Sequence, residues 1–182
     1  ISRQRQMCIR DSINRPVPLE FIFCSAKGFH PLLNKKGNGI HPNCKVWRAP
    51  KGQLKKSRSG RITQPKTPPI SFVISNLAER KMLPAIYFIF SRRGCDKAVA
   101  NIKDLTLVNY KEASLINEKL SKYIKNNQEG IKDKINFEAL KRGVASHHAG
   151  QLPAWKEFVE ELFQMGLIKV VFLSLIHISE PT

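Results

Sequence analysis

The chain has 182 residues, with 31 Lys and Arg against 14 Asp and Glu for a formal net charge of +17 and an isoelectric point near 10.1. This is enough chain for one ordinary domain with a core, and a hydrophobic share of 42% excludes a purely disordered basic tail. The charge excess speaks of a polyanionic partner, nucleic acid before an acidic membrane surface, and not of fold.

In chain order, "VPLEFIF" (17–23) reads as a short apolar strand. From Phe21 to Ala78 there is then no acidic residue, while Lys27, Lys35, Lys36, Lys45, Arg48, Lys51, Lys55, Lys56, Arg58, Arg61 and Lys66 accumulate among Gly, Pro, Ser and Asn. Residues 24–68 therefore read as an irregular basic insertion, either a solvated loop or an arm that tracks phosphates. Its foremost cations for that role are Lys51, Lys55, Lys56, Arg58 and Arg61. "PISFVISNLAERKML" (69–83) predicts a helix, with Pro69 in its first turn and Phe72, Val73, Leu77 and Leu83 as an apolar stripe. "AIYFIFS" (85–91) predicts a strand buried on both faces, with Tyr87, Phe88 and Phe90 as core. Helices follow over 92–105, over 110–127 with Leu115, Leu120 and Ile124 inward, and over 135–143 ending at Gly143. "LPAWKEFVEELFQMG" predicts a helix with Leu152, Trp155, Val159, Leu162 and Phe163 on its buried face and Glu157, Glu160 and Glu161 away from it. "LIKVVF" (167–172) predicts a buried strand. Strands alternating with helices give an α/β class with a mostly parallel sheet.

Cys8, Cys24, Cys44 and Cys95 are scattered with no CxxC pair, which reads as reduced thiols in a cytoplasmic protein, with Cys95 a packed thiol. The longest apolar run, "LPAIYFIF", is too short to span a bilayer, so no membrane partner is expected.

The stretch "SHHAGQLP" (146–153) carries the most chemistry. His147 and His148 are adjacent, so neither a helix nor a strand aims both rings at one ion, and no third ligand stands at a recognisable spacing. Cys24, His30, His41 and Cys44 match no common zinc knuckle, so no metal is assigned. No nucleophile motif accompanies the histidines. A turn at Gly150 followed by Pro153 in the first turn of a helix would instead leave backbone amides facing "HHAG", a natural phosphate site. The histidines would orient that turn or touch a sugar–phosphate backbone.

Two long blocks also resemble a known family. "AIYFIFSRRGCDKAV" resembles motif IV of the superkiller-type (Ski-like) DExH RNA helicases of superfamily two, and "GVASHHAGQLPAWKEFVEELFQMGLIKVVF" resembles the block that follows it in their second RecA-like domain. "RPVPLEFIF" resembles the strand that opens that domain, and the basic insertion with "GIHPN" and "WRAPKG" is most similar to a bacterial, cyanobacterial-type branch. The resemblance spans residues 13–172. It implies an incomplete RecA-like (P-loop NTPase-type) α/β domain, a parallel sheet flanked by helices. It implies a parent that unwinds RNA with ATP and Mg, gripping the strand between this domain and a first RecA-like domain. Carried onto this sequence, Ser91 and Arg92 end the motif IV strand, Arg93 and Gly94 continue that turn, and His148 and Gly150, with His147 beside them, sit at the backbone-binding turn.

The chain departs from that family in three ways. It has no GxxxxGK[ST] loop, no DExH tetrad and no arginine-rich motif VI, so the chain alone is expected to hold no nucleotide or metal and to be inactive. After Phe172 the family pattern gives way to "LSLIHISEPT", which with "RQMCIRDS" resembles translated sequencing-adapter read-through. Residues 1–12 and 173–182 are therefore set aside as expected artefactual tails of an incomplete gene. A stand-alone basic RNA-binding module is the alternative reading.

Overall fold

Two short runs rich in Val, Ile and Phe and a third that reads Val-Ala-Ser-His pair side by side as parallel strands, and the helices between them cover the two faces of that sheet. This arrangement comes from a computed structural model, which describes residues 19–25, 28–44, 67–127 and 134–174. The chain divides into two units, residues 1–67 and 68–182.

In the first unit, strand β1 (Ile22–Ser25) pairs antiparallel with β2 (Gly28–Pro31). Gly28 has φ 112°, a left-handed conformation that side chains rarely adopt. A bridge between Leu33 and Ile40 closes the following loop. The strand predicted over 17–23 lies later, and the start of the basic insertion is an ordered hairpin. Residues 45–66, with Lys51, Lys55, Lys56, Arg58 and Arg61, lie outside the described residues.

The second unit runs α1 (Ile70–Glu79), β3 (Ala85–Ile89), α2 (Arg92–Asn101), α3 (Tyr110–Asn126), α4 (Lys134–Leu140), β4 (Val144–His147), α5 (Pro153–Gln164) and β5 (Val170–Ser174). The sheet order is β3-β5-β4, all parallel. Alternate residues of β5 face opposite ways. Val170 and Phe172 pack with Val144, with Ile74 of α1 and with Cys95, Ala98 and Val99 of α2. Val171 faces the other layer, where Trp155, Phe158, Val159 and Leu162 of α5 meet Ile116, Leu120 and Tyr123 of α3 and Phe137 and Leu140 of α4. Tyr123 stacks on Phe158 at 4.7 Å and meets Trp155 edge-on at 5.6 Å. Each fully buried aliphatic or aromatic side chain of this kind contributes about 1.5–3 kcal/mol. α3 starts with a reciprocal cap: Asn109 accepts from the Glu112 amide at 3.0 Å, and Glu112 accepts from the Asn109 amide at 2.9 Å. The Lys169 ammonium on Glu112, with that backbone bond, holds its carboxyl below the usual range.

Several expectations need correction. α1 stops at Glu79, ahead of Lys81 in the left-handed region and of Pro84, and its buried residue is Ile74, not the stripe named above. α2 ends at Asn101, four residues early. α4 covers 134–140, and Gly143 (φ 81°) turns the chain into β4, a strand that the sequence pattern did not show. β3 is not buried on both faces. It lies at one end of the described sheet, with Ile86 and Phe88 about half exposed and Phe90, beyond its end, 80% exposed. Leu115 and Leu152 are also exposed, and Ile116, Tyr123 and Phe158 take the buried places. β5 runs on through Leu173 and Ser174, two residues into the stretch set aside as a tail. Residues 1–12 and 175–182 lie outside the described residues.

Candidate nucleic-acid interface

Because the three strands are parallel, their carboxyl ends share one edge of the sheet, where ligands bind in open α/β folds. Two helices begin there. β3 ends at Ile89, and Ser91 caps α2, its hydroxyl accepting from the Gly94 amide at 2.9 Å. Arg92 and Arg93 follow in the exposed first turn. β4 ends at His147, and the chain turns through His148, Ala149 and Gly150 into α5, which has Pro153 at its start and no side-chain cap.

The two histidine rings diverge, as adjacent residues at a strand end must. His147 Nε2 lies 2.7 Å from Glu160 Oε1 of α5. It helps line a largely apolar cavity of about 210 Å³ with Ile86, Phe163, Val171 and Leu173. His148 lies on the other side, buried, with Nε2 3.0 Å from Asp96 Oδ1 of α2. Its Nδ1 accepts from the Gly150 amide at 3.2 Å. A ring protonated on Nε2 alone satisfies both contacts, accepting at Nδ1 and donating at Nε2 to Asp96. Both ring nitrogens are therefore used within the fold. Of the two roles expected for His148, its geometry is that of orienting the turn.

Gln151 completes the turn. Its amide donates to His148 O at 3.1 Å, its side-chain oxygen accepts from the His148 amide at 3.1 Å, and its Nε2 donates to Ser146 Oγ at 2.8 Å. The Ser146 hydroxyl in turn donates to Asn136 Oδ1 at 3.1 Å. The need for glycine at position 150 is one of space. A Cβ there would lie 3.2 Å from His148 Nδ1, 3.3 Å from its Cε1 and 3.5 Å from Arg92 Cδ. The same distances show that the Arg92 stem lies against the turn. The sheet edge thus brings Arg92, His148 and Gly150 together, with Ser91 and Arg93 on the same helix start and His147 on the opposite side. Asp96, Ser146 and Gln151 were missed from sequence. Of these, Asp96 had a readable signal: it is the lone carboxylate among the first residues of a helix that begins Arg-Arg.

Cys95, next to Asp96, is fully buried, and its thiol is pushed up to about 11, by burial first and by the Asp96 charge second. In the first unit, the His30 and His41 rings stack at 5.9 Å, and Asn43 Nδ2 donates to His30 Nδ1 at 3.3 Å. Among the described residues no three His, Cys, Asp or Glu side chains gather as a metal site. No helix among them is long and apolar enough to cross a membrane.

No family model matches the chain. It is 35% identical over 170 residues to a chloroplastic DExH-box ATP-dependent RNA helicase of Arabidopsis thaliana, a match covering 88% of this chain and 14% of that protein. It is 28% identical over 178 residues to the ATP-dependent RNA helicase mtr4 of Schizosaccharomyces pombe, covering 87% of this chain and 16% of the relative. It is 27% identical over 195 residues to human superkiller complex protein 2, covering 93% and 15%. The chain thus spans about a seventh of the length of the relatives it matches. Its homologues are Ski2-like DExH helicases, and its parallel sheet flanked by helices is consistent with part of their RecA-like fold.

Proposed function

We propose that this chain, as a homologue of Ski2-like DExH helicases, is part of the second RecA-like domain of an ATP-dependent, cytoplasmic RNA helicase of the bacterial branch and that it supplies RNA-backbone contacts. The observation that carries the reading is the pairing of two helix starts on one sheet edge, where Arg92 lies against the Gly150 turn. Ser91, Arg92, Arg93, His148 and Gly150 form the interface, with His148 shaping it from beneath and His147 flanking it on the other side. At the start of α5, Pro153 has no N–H and the Trp155 amide bonds Leu152 O, so the contact to phosphate falls chiefly to the arginines. Nucleotide and Mg²⁺ belong to the parent, shared with its first RecA-like domain, and the chain alone hydrolyses no ATP. RNA is the partner, with no membrane contact. The basic insertion adds a sequence-indifferent grip through Lys51, Lys55, Lys56, Arg58 and Arg61.

The test is binding of the chain to single-stranded oligouridylate over a range of salt. Salt-dependent affinity that weakens with Arg92→Gln and Arg93→Gln supports the reading. Replacing Lys55, Lys56, Arg58 and Arg61 with glutamine should lower the salt slope by about 0.7 for each phosphate that is no longer neutralised. Affinity indifferent to salt and to all six cations refutes it.

A further inference from the structure

Asp96 has no part in the interface named above, yet it is where the two helix starts meet. It stands one turn into α2, four residues after Arg92. Its Oδ1 reaches His148 Nε2 at 3.0 Å, across 52 residues of sequence, and lies 3.4 Å from the Ser146 hydroxyl. His148 in turn uses Nδ1 to take the Gly150 amide. The bonds form one line: carboxylate, imidazole, turn amide. Each needs the one before it. A ring whose proton moved to Nδ1 would set a donor against the Gly150 N–H, and the turn would lose the acceptor that folds it. His148 is 8% exposed while the Asp96 side chain is 52% exposed, so water reaches the carboxylate but hardly the ring.

We infer that Asp96 is a positioning residue: by fixing the His148 tautomer it folds the Gly150 turn and joins the starts of α2 and α5 into a single surface for the phosphate backbone of single-stranded RNA. The RNA half of this rests on the proposed function, and the clamp itself does not. If loss of the clamp leaves the turn correctly folded only a fraction of the time, apparent affinity falls by that fraction.

The experiment uses the full chain labelled with ¹⁵N. Long-range proton–nitrogen spectra report which His148 nitrogen bears the proton, and amide exchange reports Gly150. A titration with a single-stranded uridylate decamer, followed at the Gly150 and Gln151 amides, gives an affinity local to the turn that the insertion does not dominate. In the unaltered chain His148 should be protonated on Nε2, with a protected Gly150 amide. Asp96→Ala should mix the tautomers, speed Gly150 exchange and weaken local affinity about fivefold, the worth of one hydrogen bond. Asp96→Asn keeps an acceptor oxygen and should restore both tautomer and affinity. A merely structural loss would lower the melting temperature without this rescue of the tautomer.

An Nδ1-protonated His148 in the unaltered chain overturns the inference even if Asp96→Ala fails to fold. So does an Asp96→Ala chain with unchanged tautomer and Gly150 protection. If the decamer leaves the turn amides unmoved in the unaltered chain, the RNA reading falls and the RNA half of the inference with it, while the tautomer comparison still decides the clamp.

Discussion

The starts of α2 and α5 stand at the same edge of the same sheet and are built in different ways. α2 is closed locally: Ser91 bonds an amide three residues away. α5 has no such cap, and its approach is shaped by His148, which leans on a carboxylate 52 residues upstream. A local cap forms as soon as its own helix does. The second start can take its final form only after α2 and β4 have docked on β5, so it is a product of tertiary structure. One start is set by its own sequence, and the other by the packing of the sheet.

The strongest way to break the comparison is at Gly150. A valine there puts its Cβ 3.2–3.3 Å from the His148 ring, with further methyl groups toward the Arg92 stem. The ring is held from the far side by Asp96, so it has little room to retreat. Gly150→Val should cost about 1–3 kcal/mol of stability and should weaken RNA binding more than any other single change at this edge. Chemical denaturation and decamer affinity on the same samples check it. A variant as stable and as tightly binding as the parent chain would show that the turn has slack that the geometry does not suggest.

The local start should be less sensitive. Ser91→Ala removes one cap bond and should cost about 1 kcal/mol. The loss should be regained by Ser91→Asp, because an aspartate in the same place accepts the same amide and complements the helix dipole. No corresponding rescue by a local residue is expected at α5. Denaturant midpoints of the two variants, compared with Gly150→Val, show whether one start is local and the other is not.

The same contrast explains what could be read from the sequence. Pro153, Gly166 and the glutamates of α5 fixed that helix well, because each acts within a few residues of itself. The parallel α/β class followed from the alternation of elements. What failed was anything decided by a distant surface. "AIYFIF" is apolar at every position, which suggests burial on both faces, but only Tyr87 and Ile89 meet the α1 and α2 layer, and Ile86 and Phe88 stay half exposed. β4 is four residues long and ends in Ser-His, so it carries no strand signature. It is a strand because β5 supplies its partner. At the candidate site, glycine, proline and the histidine pair were visible, and orienting the turn was one of the two roles open to His148, but its partner was not visible. Nothing at position 96 announces position 148 until α2 lies across β4.

The smallest effect is expected at His147, and it tests whether the two histidines are as unequal as their surroundings. His147 pairs with Glu160 at 2.7 Å; the two carboxylates are similarly exposed, 59% for Glu160 and 52% for Asp96, but the His147 ring is 21% exposed against 8% for His148, so the His147 pair is the more open to water. Exposed pairs of this kind contribute little, because water screens them and two side chains must be held in place to form them. The imidazole also lines a cavity that is already open, so its removal seals no new void. His147→Ala should therefore change stability by no more than about 0.5 kcal/mol. Its effect on decamer affinity should stay below that of Gly150→Val. His148→Ala is the internal control: it leaves the Gly150 amide and the Asp96 carboxylate without the ring between them and should cost about 1–3 kcal/mol. Equal losses for the two alanine variants would mean that the Asp96 side of the turn is no more important than the Glu160 side. The contrast between a locally built and a tertiary-built helix start would then fail at its central residue.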